Sequence, residues 1–370
     1  MGNSNLVQST DETAPRNTSG STEDEAHTVS TSHERGSSVG RQVSDDSLSS
    51  VRCSFRSRGL SSRTTDIIMA SWRKSTKKGY QTYIRRWVQY CSERQIDQIS
   101  PSVNDILEFL TTLFESNLGY SALNTARSAL SSLGLKVEGF SAGTHPLVVR
   151  YMKGVFNIRP TVSRYTHIWD VNKVLHYLCK LSPVKQLSLK DLTLKLVMLL
   201  ALTNAARIDT VHKLSVNQFK KTSSEFVFQF SSLLKQSRPG FECSSMRVKA
   251  YPPDRRLCTY FVMKEYLLRT RNLRKQEECL LLSYVKPHSG VSKDTVARWI
   301  KTVMCRAGID ISLFGAHSVR SAVTSKANER AVPIQDILKT AGWSRESTFA
   351  KYYKKKVAHE DTFQKAVLQL

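Results

Sequence analysis

His317-Ser318-Val319-Arg320, then Ala341-Gly342-Trp343, then Ser347-Thr348-Phe349-Ala350-Lys351-Tyr352-Tyr353 follow one another near the end of the chain. Four residues of helix put His317 and Arg320 on one face. An imidazole and a planar guanidinium fork can then approach one phosphate together. Pro333 suits a first helical turn, and Ile334, Ile337, Leu338 and Ala341 form a buried face behind it. Gly342 suits the position just past the helix end, so a rigid element sets the place of Trp343. Tyr352 and Tyr353 are neighbours and point about 100° apart on a helix. One of them can face a phosphate while the other packs near Phe349.

Upstream, Arg207 follows a long apolar helix in Thr203-Asn204-Ala205-Ala206-Arg207-Ile208-Asp209-Thr210. Lys235 lies in Leu233-Leu234-Lys235-Gln236-Ser237-Arg238-Pro239-Gly240, between a strand and a turn, and Lys249 sits on the return strand. Attack on a phosphodiester builds negative charge on the phosphate oxygens. It needs a nucleophile, an acid for the leaving oxygen, and cations fixed where the charge develops. Two arginines, a lysine, a histidine and a tyrosine supply all of these without a metal or another cofactor.

The charge balance agrees with an anionic partner. The 370 residues carry a formal net charge of +24, a footprint of nucleic acid or another anionic surface. Residues 1–50 hold three arginines against eight acids, so the remaining 320 residues carry +29. The seven cysteines are scattered, with no C-x-x-C pair and no histidine at zinc-finger spacing. They read as reduced thiols of a cytosolic or nuclear protein, with no disulfide and no metal. No apolar run reaches membrane-spanning length, and the polar start is not a signal peptide.

Residues 1–62 are acidic and rich in Ser and Thr, with no aromatic residue before Phe55. Such a segment buries too little apolar surface to offset its ordering entropy and is expected to be disordered. Residues 63–158 read as a small helical domain. Tyr80, Ile84, Trp87, Val88 and Cys91 mark one buried helix face. Ser100-Pro101 is expected to open a second helix, Ser121 to cap a third and His145-Pro146 to open a fourth. Residues 159–168 read as a linker, and 169–370 as a larger, mainly helical domain. There Asp170 caps a helix through Leu181, and an apolar helix covers Leu189–Leu202. Phe226, Phe228 and Phe230 alternate on one strand, with Met246, Val248 and Ala250 on its partner across a turn at Pro239-Gly240. Phe363, Val367 and Leu370 make a narrow apolar stripe in the last twelve residues.

The ordered set His317-x-x-Arg320, Gly342-Trp343 and Tyr352-Tyr353, with Arg207 and Lys235 upstream, resembles the C-terminal signature of the tyrosine recombinases, the phage integrase family. The usual spacing in phage integrases selects Tyr352. The run Trp343-Ser344-x-x-Ser347-Thr348-Phe349-x-x-x-Tyr353 is closer to the recombinases of DIRS-type retrotransposons and related eukaryotic elements, and selects Tyr353. The resemblance implies a mainly α fold with a small antiparallel β-sheet, preceded by a helical core-binding domain. It implies site-specific DNA cutting and rejoining through a 3′-phosphotyrosyl link. Arg207 and Arg320 would clamp the phosphate, Lys235 (or Lys249) would be the general acid, His317 an acid–base partner and Trp343 a phosphate donor. One departure stands out: the family's R-x-x-E acid is Thr210 here. Arg73, Lys74, Lys77, Lys78, Arg85 and Arg86 on the first long helix, and Lys351, Lys354, Lys355 and Lys356 beside the tyrosines, are the expected backbone contacts on duplex DNA. Self-association from dimer to tetramer on DNA, a nuclear location and a mobile-element origin follow from the same resemblance. So does a rival, an inactive, domesticated DNA-binding protein of this fold. A type IB topoisomerase shares the chemistry. A metal-dependent DDE transposase fits poorly, since no acidic triad stands out.

Overall fold

The computed structural model describes residues 49–161, 165–235, 237 and 245–356. The segment 1–48, the turn at Pro239-Gly240, Cys243 and the stripe at Phe363, Val367 and Leu370 lie outside the described residues. The chain divides into two compact units between Val162 and Ser163.

The first unit is a helical bundle: α1 (Ser49–Arg56), α2 (Ser62–Met69), α3 (Lys74–Arg94), α4 (Val103–Glu115), α5 (Tyr120–Ser132) and α6 (Pro146–Ile158). α3 buries Ile84, Trp87, Tyr90 and Cys91. Its Trp87 and Tyr90 meet Phe109 of α4 edge-to-face, at 5.1 and 5.4 Å between ring centres. Two helix starts differ from the expectation. α4 begins after Ser102 rather than at Ser100-Pro101, because Ser102 and Asp105 form a capping box. The Asp105 carboxylate accepts the Ser102 N–H at 2.8 Å, and the Ser102 hydroxyl oxygen accepts the Asp105 N–H at 3.2 Å. α5 begins at Tyr120 with Gly119 as its cap, ahead of Ser121. α6 starts as expected: Pro146 takes the first helical position and the His145 ring accepts the Leu147 N–H at 3.3 Å.

Residues 49–62, which composition places in a disordered tail, are part of this unit. Val51 of α1 is fully buried, and the Ser54 hydroxyl donates to the Leu133 carbonyl at 2.8 Å. A two-residue hairpin, β1 (Lys136–Val137) and β2 (Phe140–Ser141), turns through Glu138 and Gly139, both at positive φ.

The second unit comprises α7 (Val171–Lys180), α8 (Leu189–Thr203), α9 (Ile208–His212), β3 (Phe219–Lys221), β4 (Glu225–Phe228), β5 (Met246–Lys249), α10 (Thr259–Thr270), α11 (Lys293–Arg306), α12 (Ser318–Glu329), α13 (Ile334–Ala341) and α14 (Glu346–Tyr352). Every residue of α8 from Leu192 to Leu202 is buried. A helix that is apolar all round must be enclosed, and α8 is the central rod on which α10, α11 and α12 pack. Lys195 on this rod is fully buried. It donates to the Leu178 and Leu181 carbonyls at 2.9 and 2.6 Å, tying off the end of α7. The antiparallel sheet runs β3-β4-β5, with Phe226 opposite Val248 and Phe228 opposite Met246. β4 stops at Phe228, short of Phe230, and β3 was not foreseen. The mainly helical class with small antiparallel sheets is borne out.

Candidate active site

The site assembles on α12. His317 is its N-cap and Arg320 lies in its first turn. Arg320 is 2% exposed. Its Nη2 donates to the Ala341 carbonyl, the last of α13, at 2.9 Å, and its Nη1 donates to the Ala205 carbonyl. Ala205 has φ +42°, a left-handed conformation that a residue with a Cβ adopts only under constraint. That backbone twist turns the Ala205 carbonyl toward Arg320, two residues before Arg207 caps α9. Burial, then the charge of Arg207, pushes the Arg320 pKa down to about 10, with Tyr353 partly offsetting both. Arg320 therefore remains a cation at neutral pH.

Gly342 ends α13 in the left-handed conformation, at φ +67°. The chain then delivers Trp343, 7% exposed, against the Arg320 guanidinium, 4.9 Å from the ring centre. The Tyr353 ring lies 4.3 Å from that of Trp343 and 5.7 Å from the guanidinium carbon. Tyr353 Oη and His317 Nε2 are 3.2 Å apart. Two donors in this cluster, Arg320 Nε and Trp343 Nε1, are buried and have no acceptor. His317 is exposed as a residue, but desolvation of its ring by the packed surroundings, then the charges of Arg320, Arg207 and Lys235, push its pKa down to about 4. The imidazole is therefore neutral at pH 7 and able to accept a proton.

The structure thus brings together Arg207, Lys235, His317, Arg320, Trp343 and Tyr353. Tyr352 is not in the cluster: it is 40% exposed and stacks beneath the Lys351 ammonium at 5.1 Å. Lys249 lies on the exposed face of β5, opposite Glu225. Thr210 is buried and brings no carboxylate to the third place after Arg207. Asp209 instead sits 3.1 Å from Lys213, and the Lys213 ammonium donates to the Leu233 carbonyl at 2.7 Å. This chain of contacts anchors the loop that carries Lys235. Its one sequence signal was the i, i+4 spacing of Asp209 and Lys213.

The remaining basic residues divide. Arg73 caps α3, and Lys74, Lys78, Arg85 and Arg86 are exposed along it, with Lys77 half-buried. Lys351, Lys354 and Lys356 are exposed. Lys355 departs from the expected backbone-contact role, because its ammonium donates to the Tyr165 carbonyl at 2.6 Å and lies 4.0 Å from the Tyr165 ring centre. Among the described residues no group of three His, Cys, Asp or Glu side chains is placed to hold a metal, and no helix is long and apolar enough to cross a membrane.

Two arginines, a lysine, a histidine and a tryptophan thus gather around one tyrosine, on a mainly α-helical body with a small antiparallel sheet. The chain belongs to the phage integrase family: the model of that family matches residues 169–359, and the phage integrase N-terminal SAM-like domain matches residues 54–139. The fold is similar to XerH site-specific recombinase bound to palindromic difH substrate in a post-cleavage complex. The identity is 13%, the TM-score 0.54, and the match covers 78% of each chain. It is also similar to the integrase of transposon Tn1549 in complex with transposon right end DNA. That match has 12% identity and a TM-score of 0.54, and covers 87% of this chain and 97% of that one. Against curated protein sequences the chain finds no match.

Proposed function

We propose that this chain is a site-specific tyrosine recombinase that cuts and rejoins duplex DNA through a 3′-phosphotyrosyl intermediate, with Tyr353 as nucleophile. The observation that carries the proposal is the His317–Tyr353 pair, 3.2 Å apart, beside a buried guanidinium with an unpartnered Nε. A phosphate oxygen is an acceptor that both Arg320 Nε and Trp343 Nε1 can use, and leaving such donors buried and unmatched costs about 1–3 kcal/mol each.

In the proposed reaction Tyr353 Oη forms a bond to phosphorus and the bond from phosphorus to the 5′ oxygen breaks. His317 takes the phenolic proton. Lys235, on its exposed loop, gives a proton to the leaving 5′ oxygen. Arg207 and Arg320 hold the charge that develops on the phosphate, as fixed dipoles and cations do in the strongest electrostatic catalysis. Burial is the larger cause of the low His317 pKa, and the phosphate's own charge offsets only the smaller part that comes from Arg320, Arg207 and Lys235. Rejoining runs the same steps in reverse, and the energy of the broken bond stays in the tyrosyl ester. No metal, nucleotide or other cofactor enters this scheme.

The two units are proposed to close as a clamp on DNA, with the α3 stripe from Arg73 to Arg86 on the phosphate backbone and with dimers or tetramers forming on the duplex. A mobile-element origin of the DIRS type and a nuclear location belong to the same proposal, supported by the Trp343–Tyr353 pattern. The absence of an acid at Thr210 favours a second reading, a DNA-binding protein that has lost cleavage. Incubation with a suicide duplex, followed by denaturing electrophoresis, separates the two: a covalent protein–DNA band supports the enzyme, and tight binding without the band supports the binder.

A further inference from the structure

We propose that Ser325 is a positioning residue for Tyr353. It brackets the backbone just after the tyrosine and fixes the phenol relative to Arg320. The inference rests on the reading of Tyr353 as nucleophile. Ser325 is 2% exposed and lies on α12, five residues beyond Arg320. Its hydroxyl donates to the Tyr353 carbonyl at 2.8 Å and accepts the Lys355 N–H at 3.0 Å. A mid-helix serine ordinarily bonds back to its own helix, as neighbouring Thr324 does to the Arg320 carbonyl at 2.6 Å. Ser325 instead commits both its donor and an acceptor to the 353–355 segment.

The need for such a bracket follows from α14. This helix has seven residues, ends at Tyr352 and leaves Tyr353 as its C-cap. A helix that short does not hold its own end in place. The chain beyond it is tied down at three points: the Ser325 bracket, the Ile168 N–H donating to the Lys356 carbonyl at 2.9 Å, and the Lys355 ammonium on the Tyr165 carbonyl. The entry segment that supplies two of these ties is itself fastened beside the site. The Trp169 indole N–H donates to the Ser318 hydroxyl at 2.9 Å, next to His317. Nucleophile and phosphate clamp are thus referred to one rigid element, α12.

The test is the single-turnover rate of covalent adduct formation by the full chain on two suicide duplexes. One has a normal phosphodiester, and the other has sulfur in place of the bridging 5′ oxygen at the cleaved position. A thiolate leaves without an acid, so sulfur rescues the loss of a proton donor and does not rescue a misplaced nucleophile. Ser325→Ala is expected to slow adduct formation by about 10- to 100-fold on both duplexes, the usual cost of displacing a reacting atom by an ångström or less, with DNA affinity unchanged. Ser325→Thr, which keeps the hydroxyl, is expected to restore most of the rate. Lys235→Ala is expected to recover on the sulfur duplex. An Ser325→Ala rate equal to the parent's, or a defect that sulfur removes, overturns the inference. If Ser325→Ala does not fold, Ser325→Cys is measured in the same way: it keeps the size of the side chain and weakens both hydrogen bonds, and a parental rate there overturns the inference. A parent chain that forms no adduct at all refutes the functional reading instead.

Discussion

Arg320→Met separates the two roles that a buried guanidinium can have. Arg320 is 2% exposed, and no carboxylate is among its hydrogen-bond partners; two backbone carbonyls are. A pKa lowered from 12.5 to about 10 corresponds to roughly 3 kcal/mol against the charged form in the folded chain. Methionine removes that penalty and keeps most of the volume. It also strands the Ala205 and Ala341 carbonyls, at about 1–3 kcal/mol each. The two effects oppose, so the net change in folding stability is expected to stay within about 3 kcal/mol, of either sign. Cleavage has no such compensation, and loss of one charge-stabilising donor costs about 10²-fold or more. Urea unfolding of the full chain reads the first quantity, and adduct formation on a suicide duplex reads the second. A variant that loses more than about 5 kcal/mol marks Arg320 as a structural keystone. A variant that cleaves at the parent rate removes it from the phosphate clamp. Either result refutes the reasoning.

Tyr353→Phe should abolish the covalent adduct and leave DNA binding intact, whereas Tyr352→Phe, on the exposed ring beneath Lys351, should keep the adduct; denaturing gels of both variants decide. The His317 imidazole should titrate near 4 in the DNA-free chain, well below its usual value of about 6.5, as followed by its ring-proton NMR signals. Because the unfolded chain binds more protons than the folded one between those two pKa values, His317 contributes stability that is present above about pH 6.5 and lost as pH falls toward 4. Urea midpoints that do not change over that window in the parent relative to His317→Gln contradict the assignment. Ala205→Val should cost about 1–3 kcal/mol in urea unfolding, because a β-branched side chain resists positive φ; no loss of stability would mean that the left-handed turn does not aim the carbonyl at Arg320. Neutralising Lys74, Lys78 and Arg85 together should weaken DNA binding and flatten the plot of log affinity against log salt by about 0.9 for each phosphate no longer neutralised. An unchanged slope removes the α3 stripe from the interface.

Local chemistry was legible in the sequence where one residue decides it. His145-Pro146, Asp170 and Gly342 each end or begin a helix through their own ring, carboxylate or missing side chain, and each was readable at its position. Where a run holds several serines, the sequence was ambiguous: Ser100 and Ser102 can each cap α4, and the reciprocal bond with Asp105 chose Ser102 over the expected Ser100. α1 escaped notice because it contributes Val51 and little else to the core, within a segment whose average composition is polar. β3 is three residues long and follows no alternation that could betray it. Among the candidate residues that the structure brings together, the pattern named Arg207, Lys235, His317, Arg320 and Trp343, but spacing alone could not choose between two adjacent tyrosines. That choice belongs to the helix face, which only packing fixes. Lys355 looks basic and available in sequence, yet a tertiary contact with Tyr165 turns its ammonium inward. Ser325, Trp169 and the carbonyl of Ala205 act across separations of 28, 149 and 115 residues, and no periodicity announces contacts of that range.

The central claim is that Tyr353 becomes covalently joined to DNA. The most direct measurement traps the reaction on a suicide duplex in the presence of EDTA, digests protein and DNA, and sequences the adducted peptide by tandem mass spectrometry. The account predicts a nucleotide remnant on the peptide Tyr352-Tyr353-Lys354, with the added mass localised to Tyr353. An adduct localised to Tyr352, an adduct elsewhere in the chain, or a reaction that proceeds only when Mg²⁺ is restored would contradict it.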